Sequence, residues 1–220
     1  LKIRRIDADR KNMDDEVRLH IIANGAGVGP RLEGHSRNLI AMEFVNGKSI
    51  VDWVETASKG RLRKMARSVL EQCYSLDRAG LDHGELSRLN RHVIISDRPY
   101  IIDFESASTT RKTSNVTAAA QSIFLHGAVA GFVQRTLLAD REKVLFALKT
   151  YKRDQTRANF DAVLESLRGR FDVSRSMLAS RSARCGESRK KSEACYVIPA
   201  KAGIQVLRRF QPAGFRLSPE

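Results

Sequence analysis

His83, Glu85, Asn90 and Asp103 fall within one stretch of a 220-residue chain, DHGELSRLNRHVIISDRPYIIDFESAS at Asp82–Ser108. Their types suit a site for a metal ion and phosphate, because carboxylate and amide oxygens are ligands for hard divalent cations and a carboxylate can orient a hydroxyl. Between Glu85 and Asp103 stand two short apolar runs, Val93-Ile94-Ile95 and Tyr100-Ile101-Ile102, separated by Ser96-Asp97-Arg98-Pro99. That pattern predicts strand, turn and strand. The hairpin would return Asp103 to the polar cluster from which the chain set out.

At these residues the stretch resembles the catalytic core of the protein-kinase-like phosphotransferases. Their pattern is His-(Arg/Gly)-Asp, an Asn five residues on, a short hairpin and then Asp-Phe-Gly; here it reads His83-Gly84-Glu85, Asn90 and Asp103-Phe104-Glu105. The His-Gly opening is similar to the atypical kinases (the RIO group, the KEOPS-complex kinase, lipopolysaccharide and aminoglycoside kinases), and above all to the predicted RIO-like serine/threonine kinases of prokaryotes. The resemblance implies ATP and Mg²⁺ as cofactors, Glu85 orienting the acceptor hydroxyl, and Asp103 with Asn90 holding the metal against the phosphates. His83 is implied to be a structural hydrogen-bonder. Three departures stand out. Glu85 is one methylene longer than Asp, Arg91 and His92 intervene between Asn90 and the apolar strand, and Glu105 replaces Gly, where its carboxylate offers a further ligand.

The segments that must position these groups can be read in order. LKIRRI at residues 1–6 alternates apolar and basic residues as a half-buried strand does. Asn12 to Asn24 reads as a helix, with Asn12 as cap, acidic residues Asp14, Asp15 and Glu16 in its first turn, and Asn24-Gly25 as its stop. By resemblance Lys2 reaches the nucleotide phosphates and pairs with Glu16; the residues alone allow a surface lysine and a glutamate serving the helix dipole. The run Gly25–Pro30 leaves a helix and meets a proline, so it is a connector and not a phosphate loop. The family's glycine loop would lie upstream of Lys2. Strands are predicted near Arg31–Glu33 and at Asn38–Val45, and NLIAMEFVNG there resembles the segment joining kinase lobes, which implies that Glu43 and Val45 offer backbone groups to adenine, with Met42 at the back of its pocket.

Leu62, Met65, Ala66, Val69, Leu70, Cys73 and Leu76 recur at helical spacing and predict a core helix over Arg61–Ala79, with Cys73 as a packing residue. Val116–Leu138 reads as a long helix or a bent pair broken near Gly127 or Gly131, followed by helices at Arg141–Tyr151 and Gln155–Leu167. No Ala-Pro-Glu motif follows Asp103, which again fits the atypical kinases.

Composition narrows the classes. The chain is 42% hydrophobic and 29% charged, ordinary for a globular protein. Its apolar stretches are interrupted too often to span a bilayer, and residues 1–20 alternate charges where a signal peptide would be apolar, so no membrane insertion is expected. Three cysteines without metal spacing exclude a disulfide scaffold and fit the cytoplasm. Half of the net charge of +14 falls in residues 169–220, with 11 Lys/Arg against 4 Asp/Glu. Lacking a repeated apolar face, that region is expected to be a basic, disordered tail.

The expected fold is therefore α+β and kinase-like, with a truncated strand-rich N-lobe and hinge at residues 1–47, a helical C-lobe with the catalytic hairpin at 48–168, and the tail at 169–220. The expected activity is transfer of the γ-phosphoryl group of ATP to a hydroxyl of a protein or small-molecule acceptor. Two alternatives are an inactive pseudokinase remnant acting at most as a binding module and a non-catalytic RNA-associated module; RNA is also a possible substrate or scaffold.

Overall fold

Two apolar patterns decide the architecture: short alternating runs build two small sheets, and longer helical stripes build the core. The computed structural model describes residues 1–4, 13–137 and 139–167, all within one compact unit. The expected cap at Asn12 and the expected tail lie outside the described residues. The mixture of helices with two three-stranded sheets makes the protein α+β.

The first sheet has the order β1 (Lys2–Ile3), β3 (Leu39–Met42), β2 (Leu32–Ser36), all antiparallel. Lys2 stands opposite Ile40 in this register, which fixes its place on the sheet. Helix α1 (Asp14–Gly25) carries Asp14, Asp15 and Glu16 in its first turn, where the helix dipole favours negative charge. Met13, Val17 and Ile40 form a small core between this helix and the sheet, with Leu32 and Met42 against it. The glycine-rich connector follows α1 and leads into β2. Asn24 pins it, donating to the carbonyls of Val28 and Pro30 and accepting from the Leu32 N–H.

After β3 the chain runs extended to β4 (Lys48–Ser49), and Phe44 in that stretch is exposed. The strand thus ends at Met42, three residues short of the predicted Val45, because the residues that follow line a cleft and the pairing runs no further than the Glu43 N–H, bonded to the Arg31 carbonyl. The second sheet, β4, β5 (Val93–Ile95) and β6 (Pro99–Ile101), is the hairpin read from the sequence plus one strand that was not. Gly47 makes that extra pairing possible: a Cβ there would lie 2.5 Å from the Ile95 carbonyl oxygen, so any side chain would push the strand away. A short helix α2 (Ile50–Val54) follows, also absent from the sequence reading, with the Ser49 hydroxyl accepting from the Asp52 N–H at its start.

The main core gathers around α3 (Lys59–Arg78), whose buried face is the predicted stripe, Cys73 included. Burying one such large aliphatic side chain stabilises the fold by about 1.5–3 kcal/mol. Helices α5 (Asn115–Phe124) and α6 (Ala128–Leu137) are the bent pair, broken around Gly127 and meeting at 70°. Gln134 donates to the Phe124 carbonyl at the C-terminal end of α5, where helix carbonyls run out of intrahelical donors. No helix among the described residues is long and apolar enough to cross a membrane. Helices α7 (Arg141–Arg153) and α8 (Arg157–Ser166) complete the layer, capped by Asp140 and Thr156.

A buried carboxylate ties this layer together. Asp77, near the end of α3, accepts from the N–H groups of Asn115 and Val116, from the Asn115 amide and from the Tyr151 hydroxyl. Burial pushes its carboxyl above the usual range, while these donors pull the other way. The Asn115 amide also bonds the Leu81 carbonyl and its oxygen accepts from the His83 N–H, so the end of α3 holds the loop that follows.

Candidate active site

That loop carries the residues singled out in the sequence. Asp82 pairs in both directions with the Ser108 backbone and accepts from the Arg111 guanidinium and from Ser114, which closes the segment after Asp103 back onto the segment before Glu85. Gly84 turns the chain with φ +86°, and its missing side chain lets Arg111 and the Ser106 carbonyl approach. Glu85 then opens a single 3-10 turn at Leu86–Arg88, and the short helix α4 (Leu89–His92) delivers the chain to β5.

The hairpin brings Asp103 to this loop, as its turn geometry requires. Asp103 has φ +71°, the left-handed region that costs a residue with a Cβ of order 1–3 kcal/mol. Its backbone thereby turns so that Phe104 is buried while the carboxylate remains part-exposed. The Phe104 ring lies 5.2 Å from the ring of His20 on α1 and 5.3 Å from that of His83. His83 is fully buried and its Nε2 bonds the Ile102 carbonyl, a structural role; burial holds its pKa below the ordinary value.

Lys2 joins the two sides of the site. Its Nζ lies 2.6 Å from Glu16 Oε1, 2.7 Å from Asp103 Oδ1 and 3.2 Å from Glu105 Oε2. Burial pulls the ammonium's pKa down, but hydrogen bonds to Asp103 and Glu16 outweigh it and hold the group above the usual lysine value. For Asp103 the signs are reversed: burial pushes the carboxyl up, and Lys2 outweighs this and holds it below the ordinary value. The lysine is therefore charged, and the three carboxylates it contacts face one cation.

Above this group opens a cleft of about 330 Å³, lined by Lys2, Glu16, Met42, Glu43, Val45 and Phe104 among others. Its walls are apolar where Met42, Val45, Ile94, Ile102 and Phe104 meet, and charged at one end. The Glu43 N–H is bonded to the Arg31 carbonyl, so its own carbonyl is the backbone group it can present. Lys2, Glu16, Asp103, Glu43 and Val45, separated by up to 101 residues, thus border one space.

Glu85 stands beside Asp103 but through an intermediary. His92, buried, places Nε2 3.3 Å from Glu85 Oε2 and Nδ1 3.9 Å from Asp103 Oδ2. Glu85, His92 and Asp103 each offer a ligand atom within 4.8 Å of the others. Asn90 is exposed on α4. The one sequence signal for His92 is its place directly before an apolar strand, two residues beyond Asn90. His92 Nδ1 is shielded from solvent and has no hydrogen-bond partner. Such an orphan costs about 1–3 kcal/mol, which a bound cation would relieve, so these residues fit a divalent metal.

No family model matches the chain. It is similar to the uncharacterized protein MJ1211 of Methanocaldococcus jannaschii, with 30% identity over 115 residues that cover 51% of this chain and 99% of the archaeal protein. The chain belongs to the same family as that archaeal protein.

Proposed function

We propose that the protein is an ATP-dependent phosphotransferase with a kinase-like fold, acting on a hydroxyl of a protein or small polar acceptor. The observation that carries this reading is the position of Lys2 Nζ between Glu16 Oε1 at 2.6 Å and Asp103 Oδ1 at 2.7 Å, at the charged end of a cleft whose other walls are apolar. An apolar slot beside a fixed cation and a metal-binding carboxylate suits a purine nucleotide, base in the slot and phosphates at the charges. Lys2 would contact the phosphates and Glu16 would hold Lys2 in place. Asp103 would hold the metal. A divalent ion bound there would neutralise charge on the transferring group. Glu85 orients the acceptor hydroxyl and takes its proton as the acceptor oxygen bonds to phosphorus and the bridging bond to ADP breaks. The cytoplasm, rich in ATP, is the compartment we assign.

A second reading, nucleotide binding without turnover, is favoured by Glu105, whose carboxylate lies 3.2 Å from Lys2 and so competes with phosphate for the same cation. One experiment separates the readings. Titrating the chain with ATP and Mg²⁺ by calorimetry should show binding that Asp103→Asn weakens at least tenfold, and ADP release in the presence of candidate acceptors should follow. Binding without ADP release supports the second reading, and an affinity that Asp103→Asn leaves unchanged removes both.

A further inference from the structure

We infer that His92, and not Asn90, completes the metal site: Nδ1 of His92 and the carboxylate of Asp103 bind one divalent ion, and Glu85 fixes the imidazole through its Nε2. The inference rests on the phosphotransferase reading for the purpose of the ion, but its geometry stands alone.

A neutral imidazole has one N–H and one lone pair. Nε2 stands 3.3 Å from the Glu85 carboxylate and Nδ1 3.9 Å from that of Asp103, so a single ring proton is better placed on Nε2, which leaves the lone pair on Nδ1. That lone pair is buried, has no partner, and looks toward Asp103 Oδ2 at 3.9 Å. Two acceptors thus face each other across a gap too long for a hydrogen bond. Metal–nitrogen and metal–oxygen bonds are each about 2.0–2.2 Å, so their sum just exceeds the gap and an ion fits between the two atoms. A carboxylate on the far nitrogen is also what orients metal-bound histidines elsewhere. Asn90 is exposed, whereas His92 is held by its position at the junction of α4 and β5, where its carbonyl accepts from the Ile102 N–H. The residue next to Asp103 is therefore locked to the backbone that carries His92.

A nitrogen ligand changes which ion the site prefers. Mg²⁺ favours oxygen ligands and retains its waters, while first-row transition ions accept imidazole readily. The site should take Mn²⁺ in preference to Mg²⁺. Glu85 keeps one carboxylate oxygen for the acceptor while the other holds His92.

The test uses the full chain without nucleotide. Mn²⁺ is titrated and followed by the loss of the free-ion EPR signal, and pulsed EPR reports nitrogen coupling to the bound ion. The expected result is one Mn²⁺ with imidazole nitrogen coupling, displaced only by at least a tenfold larger concentration of Mg²⁺. His92→Leu should weaken Mn²⁺ binding at least tenfold, and Asn90→Ala should leave it unchanged. If His92→Leu does not fold, the nitrogen coupling in the unaltered chain decides. Mn²⁺ bound without nitrogen coupling, or bound through Asn90, overturns the inference and leaves the phosphotransferase reading intact. Absence of Mn²⁺ binding overturns it as well. A separate nucleotide titration then tells whether the phosphotransferase reading falls too.

Discussion

Lys2 Nζ lies 2.7 Å from Asp103 Oδ1, although 101 residues separate them in the chain. The contact joins the edge strand of the first sheet to the end of the hairpin in the second, and Glu16 secures the same ammonium from α1. Three carboxylates share this cation, so its removal leaves like charges facing one another.

Lys2→Met should therefore have two effects. The melt should fall by several degrees, since loss of a partner for a part-buried carboxylate costs about 1–3 kcal/mol and each kcal/mol moves the midpoint of a domain this size by about 2–4 °C. Nucleotide affinity should fall at least tenfold. Calorimetry measures both, and an unchanged melt would show that the ion pairs contribute nothing to stability.

His20 gives a pH dependence. Burial lowers its pKa below the ordinary 6.5, against a bond to the Pro30 carbonyl. A proton therefore binds the unfolded chain more readily than the folded one. The stability that the neutral ring contributes is fully present above about pH 6.5 and is lost as pH falls from there through the folded value, at no more than about 1.4 kcal/mol per pH unit for one group. Thermal melts between pH 7.5 and 5 should show the midpoint falling, and His20→Gln should make that slope shallower. An equal slope in the variant would assign the dependence to other groups, His83 among them.

Much of this arrangement was legible in the chain. The stripe from Leu62 to Leu76 and the paired runs around Ser96–Pro99 have clear periods, and both elements form where the periods place them. Strand β4 was not legible, because two residues have no period and its pairing depends on Gly47 fitting against Ile95. The contact between Lys2 and Asp103 cannot be read from spacing at all. His92 was hidden for a different reason: whether a histidine beside an apolar strand packs inward or points to solvent depends on the single turn of α4 that precedes it. The sequence stretch shows the histidine but not the direction of its lone pair.

Glu85 is the residue on which binding and turnover should separate. Its carboxylate lies 3.3 Å from His92 at one oxygen and 4.0 Å from Arg88 at the other, and it does not line the cleft that holds Lys2 and Phe104. Orienting and deprotonating an acceptor hydroxyl matters in the transition state, whereas nucleotide contacts are made in the ground state. Glu85→Gln keeps an oxygen that can accept from His92 Nε2 but loses the charge that draws the proton. We expect kcat to fall by about 10²–10⁴-fold with ATP affinity changed less than threefold. Steady-state kinetics with a hydroxyl acceptor, beside a calorimetric nucleotide titration, measures the two effects. A parallel loss of nucleotide affinity would mean that Glu85 acts on the ground state through His92 and the metal, and that another group activates the acceptor.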